Sequence, residues 1–121
     1  ADPLQGIEMA LQEIFHILRD QAEVRETFEI ISFKCEYVEE FSGMMQCTGG
    51  QLDFLGKLTE AYRRAEARGA LRAGSTPADL AHDTFLFVGG LIKYWLAGLP
   101  DERFRSDPAG LIRNHVALRR A

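Results

Sequence analysis

A chain of 121 residues, 46% hydrophobic and 26% charged, supplies one core and is too short for two. Those values exclude a disordered or collagen-like chain, and no apolar run approaches the roughly 18 residues of a membrane-spanning helix. The net charge of −4 divides unevenly: residues 1–60 carry 4 Lys/Arg against 12 Asp/Glu, and residues 61–121 carry 10 against 6. No helix lines up Lys/Arg with interleaved aromatics, so the chain alone does not read as a nucleic-acid binder. Ala1-Asp2-Pro3-Leu4 lacks the basic and apolar regions of a signal peptide, and no Met precedes it, so a fragment or processed product is expected. Cys35 and Cys47 are too few for a disulfide scaffold, and a reduced, cytoplasmic protein is the expectation.

Asp2-Pro3, Thr76-Pro77 and Asp107-Pro108 each place a capping residue before a proline, the arrangement of a helix start. Nothing alternates as a strand does, so the chain reads as all-α, a bundle of five or six helices. The first helix is predicted over Pro3 to Asp20, with Leu4, Ile7, Leu11, Ile14, Phe15 and Leu18 on one apolar arc. A second starts near Ala22. Its Val24, Phe28, Ile31, Cys35 and Val38 form one stripe and Ile30, Phe33, Tyr37 and Phe41 another, which predicts burial against more than one neighbour. Ser42-Gly43 and Thr48-Gly49-Gly50 are expected to break or kink the chain.

The third helix is expected from about Gln51 to Arg68, with Phe54, Leu55, Leu58, Ala61, Tyr62 and Ala65 inward and Gly69 as its C′ residue. Arg63, Arg64 and Arg68 suit the negative end of its dipole better than a phosphate patch. The fourth, Pro77 to about Ala97, is apolar nearly all round from Thr84 to Leu96. Such a helix is covered on every side, and a domain this small covers only one. A second subunit is the simplest cover for the other. The last helix, Asp107 to about Arg120, would join the fourth in a two-helix face. Paired with its copy, that face makes a four-helix interface through Leu86, Gly90, Tyr94, Leu111, His115 and Leu118.

No nucleophile elbow, phosphate loop, dinucleotide fingerprint or zinc-protease helix occurs. His16, His82 and His115 lie on three helices without metal-ligand spacing, so neither metal nor cofactor is implied. Cys35 reads as a small buried hydrophobe, and His82-Asp83 as local hydrogen bonding rather than a dyad. The chain does not read as an enzyme. Phe28, Phe54, Tyr62 and Phe85, with Ser32, Lys57 and Lys93 as polar groups, fit a packed core more readily than a ligand pocket on composition alone.

The stretch Phe28-Glu29-Ile30-Ile31-Ser32-Phe33-Lys34-Cys35-Glu36-Tyr37 resembles the segment around the Lys-Cys-Glu triplet of AcrR-type regulators in the TetR family. The spacing back to Asp2-Pro3-Leu4, the helix from Phe85 to Trp95 with its Gly-Leu-Ile, and the linker Ala67-Arg68-Gly69-Ala70-Leu71 before Pro77 are similar to that family too. The resemblance implies that residues 1–121 form the C-terminal ligand-sensing and dimerisation domain of a homodimeric repressor, often one controlling a multidrug efflux system. Operator DNA would be held only by an N-terminal helix-turn-helix domain that this sequence does not contain. A hydrophobic or amphipathic effector would occupy a cavity lined by Ile7, Leu11 and Ile14, by Phe28, Ile31 and Ser32, and by Phe54, Leu55 and Leu58. Phe85, Val88, Gly89, Ile92 and Lys93 would complete it. The chain departs from the family at Phe33, often His in relatives, at Gly49-Gly50, where relatives continue a helix, and at Gly89, commonly polar. The alternative is a helical interaction or dimerisation module with a filled core and no ligand.

Overall fold

The computed structural model describes residues 2–33, 42–98 and 101–121, with side chains described at 2–29, 53–98 and 101–121. Among the described residues six helices follow in order: α1 Pro3–Asp20, α2 Ala22–Phe33, α3 Ser42–Ala67, α4 Pro77–Ala97, α5 Arg103–Ser106 and α6 Pro108–Ala117. Among the described residues there is no strand, only a lone antiparallel bridge between Leu71 and Arg120.

The expected caps are in place. The Asp2 carboxylate accepts the Leu4 N–H at 3.0 Å, the Thr76 hydroxyl accepts the Asp79 N–H at 3.2 Å, and Asp107 accepts the Gly110 N–H at 2.9 Å. A proline follows each cap where its missing N–H costs nothing. At the end of α3, Gly69 takes φ +68 while its N–H bonds Glu66 O and the Ala70 N–H bonds Ala65 O, both at 3.0 Å. These are the two bonds of a Schellman stop.

Two boundaries differ from the sequence reading. α3 begins at Ser42 and runs straight through Gly49 and Gly50, where a break was expected. A helical glycine costs only about 1 kcal/mol relative to Ala, and turns already held by packing from Leu58 onward propagate the helix through it. α5 was not anticipated, and α6 stops at Ala117 rather than near Arg120 because the chain then turns to meet Leu71.

α1 lies at the centre, packed on α2, α3 and α6, while α3 pairs with α4. The core is Leu4, Ile7, Leu11, Phe15 and Leu18 of α1, Leu58, Ala61, Tyr62 and Ala65 of α3, the inner stripe of α4, and Ile112 and Val116 of α6. Each of its larger aliphatic side chains contributes about 1.5–3 kcal/mol by leaving water. A polar chain crosses this core: Tyr62 Oη lies 2.6 Å from Thr84 Oγ1, which lies 2.8 Å from His115 Nε2. It ties α3 to α4 and α4 to α6 without leaving a buried hydroxyl unpaired.

Two arginines finish helices whose last carbonyls lack partners. Arg25 Nη1 donates to Leu18 O at 3.2 Å and Arg19 O at 3.3 Å, closing α1. Arg105 reaches back from α5 to donate to Trp95 O at 3.0 and 2.9 Å and to Leu96 O at 3.0 Å, closing α4.

Candidate functional site

Ten of the expected cavity residues fall in one apolar cluster. Ile7, Leu11, Leu58, Val88 and Ile92 are buried in it, and Ile14, Phe28, Phe54, Leu55 and Phe85 pack half-buried against it. The i, i+3, i+4 repeat on α1 brings Ile7, Leu11 and Ile14 to one side, and the same repeat on α3 gathers Phe54, Leu55 and Leu58. The Phe54 and Phe85 rings lie 6.3 Å apart and tilted by 45°. Gly89 and Lys93 are exposed on α4 and are not among the residues of that cluster. The side chains of Ile31 and Ser32 lie outside those described, as do residues 34–41 with Cys35.

Between α1 and α3 a groove of about 390 Å³ opens onto this cluster, with Ile7, Phe54 and Leu58 among its apolar walls. Lys57, Arg64 and Arg68 also line it, with Asp2 at the start of α1. Arg64 and Arg68 belong to the basic cluster read from the sequence as a complement to the dipole of α3 rather than a phosphate patch. Their second placement was readable only once the register of α1 against α3 was known. The combination of apolar walls, with the Phe54 ring among them, and a cationic side suits a hydrophobic or amphipathic small molecule.

α4 separates into two faces. Leu80, Ala81, Thr84, Val88, Leu91, Ile92 and Trp95 are buried. On the opposite side Leu86 is 72% exposed and Tyr94 44% exposed, while Gly90 is half-covered. Leu118, just beyond α6, is 53% exposed, and Leu111 of α6 is half-buried. His115 departs from this set: only 7% exposed, it bonds Thr84 and stacks on Phe87 at 4.1 Å. Burial holds its imidazole at a pKa of about 4, so the ring is neutral at pH 7. The sequence carried one sign of this, since Thr84 is the single hydroxyl in the inner stripe of α4 and needs a partner there.

His82 is exposed and bonds Ala78 O at 2.7 Å, while Asp83 pairs instead with Arg119, so the two form no dyad. Among the described residues no three His, Cys, Asp or Glu side chains converge as metal ligands, and no helix is long and apolar enough to cross a membrane.

No family model matches the chain, and no solved structure does. Over 101 residues it is 33% identical to the HTH-type transcriptional regulator TtgR of Pseudomonas putida, a match that covers 83% of this chain and 48% of the regulator. The chain therefore spans about half the length of that relative. Coming on top of the Lys34-Cys35-Glu36 segment and the six-helix all-α fold, this homology supports the TetR family of transcriptional regulators for the chain.

Proposed function

We propose that this chain is the effector-sensing and dimerisation region of a TetR-family repressor. It is a cytoplasmic, non-enzymatic module that takes a hydrophobic or amphipathic molecule along α1 and pairs with a second copy through the outer faces of α4 and α6. Operator DNA is bound by a helix-turn-helix region outside these residues, and a multidrug efflux system is the regulated target.

One observation carries the sensing role: the α1–α3 groove, lined by the half-buried ring of Phe54 and by Ile7 of α1. A ligand seated there touches the helix that follows the DNA-binding region in such regulators. If it fits one position of α1 better than another, it shifts the population of repressor states by that difference in affinity and by no more. The exposed Leu86, Tyr94 and Leu118 support the pairing role, because an apolar face of that kind is covered in an oligomer.

The test is a thermal-shift series with lipophilic dye cations and phenolic compounds, run on the intact chain and on Phe54→Ala. Saturable binding is expected, with a stabilisation of about 2.7 kcal/mol at a hundred times Kd and a weaker response in Phe54→Ala. The well-filled core beneath the groove favours a second reading, a pairing module without a ligand. A flat response from a folded protein would establish that reading instead.

A further inference from the structure

A second groove, larger than the first, lies on another side of α1. Its volume is about 600 Å³, within the roughly 300–1,000 Å³ of small-molecule sites. α1, the start of α2, the end of α4 and the α5–α6 corner enclose it, and it shares no residue with the α1–α3 groove. Its walls include Phe15 and Trp95, whose rings meet edge to face at 6.2 Å, and Ile112 of α6. Arg19, Arg25, Arg105, Glu29 and Asp107 supply the charge, with His16 beside them.

Half of those groups are already paired. Arg19 pairs with Asp20 at 2.9 Å, His16 with Glu13 at 3.5 Å, and Asp107 caps α6 and faces Arg103 at 4.0 Å. Arg25 and Arg105 differ. Their bonds go to main-chain carbonyls, which fix the guanidinium groups in place without neutralising them. Arg25 spends only Nη1 in this way, leaving Nε and Nη2 to donate. The Arg105 guanidinium lies 5.8 Å from the centre of the Trp95 ring. Two held cations thus stand beside an aromatic wall, and among the described residues of the lining the carboxylates are Glu29 and the capping Asp107.

We propose that this groove is a separate binding site for a planar aromatic carboxylate. Phe15 and Trp95 give the ring an edge or offset contact, and Arg25 donates to the carboxylate through a charge-assisted bond. Both arginines are held by the folded chain before the ligand arrives, so little ordering is left for binding to impose.

Isothermal titration of the intact chain with 2-naphthoate, and with neutral 2-naphthamide, tests the site. The carboxylate is expected to bind roughly tenfold or more tightly than the amide, the scale of one charged hydrogen bond. Arg25→Gln should remove that preference. Glu29→Gln, an exposed change that leaves the fold alone, should tighten naphthoate binding, and Phe54→Ala in the other groove should leave it unchanged. Equal binding of acid and amide overturns the proposal. So does loss of naphthoate binding in Phe54→Ala with none in Arg25→Gln, which would put the compound between α1 and α3. The Phe54 control also keeps this proposal apart from the sensing role, since either site can fail while the other binds.

Discussion

Enclosing the His115 ring between Phe87 and Thr84 takes water from the imidazolium, and the pKa falls from 6.5 to about 4. The folded chain then holds fewer protons on this group than the unfolded one between those values, so stability rises with pH across that window and is lost on acidification through it. The span corresponds to about 3 kcal/mol at most. Urea unfolding measured from pH 7.5 down to 4 should show this slope. His115→Gln should flatten it, at a cost of about 1–2 kcal/mol at pH 7.5 from the disturbed buried bond. Gly98 offers a second residue-scale test. At φ +70 it ends α4 in the left-handed region, and a Cβ there would stand 3.2 Å from the Arg105 guanidinium. Gly98→Ala should lower stability by about 1 kcal/mol or more, and a melting curve measures it. The group that crowds Gly98 was not legible in the sequence, since Arg105 returns to it only through α5.

Among the elements, the prolines preceded by Asp or Thr marked the starts of α1, α4 and α6, because cap chemistry is local and needs no tertiary information. The start of α3 was not legible. Its glycines read as breakers, whereas helix propagation from a packed segment decides the matter. Gly56, exposed within the same helix with nothing within 4 Å of a built Cβ, isolates the intrinsic cost. Gly56→Ala should raise stability by about 0.5–1 kcal/mol in chemical denaturation. α5 escaped because four residues carry no apolar periodicity; its reason for existing is a single guanidinium that α4 requires.

At the scale of the molecule, the uniform apolarity of α4 was the most informative stretch of the sequence. It announced a helix with two surfaces to cover, and within one chain only the stripe from Leu80 to Trp95 is covered. Leu86→Lys should therefore leave the melting behaviour of a dilute, unpaired subunit within about 0.5 kcal/mol while abolishing self-association in sedimentation velocity. A chain that stays paired in that variant would refute the proposed pairing face. The apolar residues of the candidate site were legible from helical spacing as inward faces, and their reading as a cavity came only from the resemblance to the TetR family. Of the site's cationic side, Lys57 already stood among the polar groups weighed for a pocket, whereas Arg64 and Arg68 did not, because they reach the groove only through the way α1 lies on α3. The contact between Phe15 and Trp95 has an optical consequence. Trp95 is the single indole in the sequence, and the ring against its edge belongs to α1. The α1–α3 groove does not include Trp95. A compound bound there that does not absorb in the indole emission band can alter the emission lifetime or near-ultraviolet dichroism of this indole only by moving the helices packed around it, α1 or α4, so with such compounds the chain carries its own unlabelled gauge for separating ligands that merely occupy from ligands that actuate.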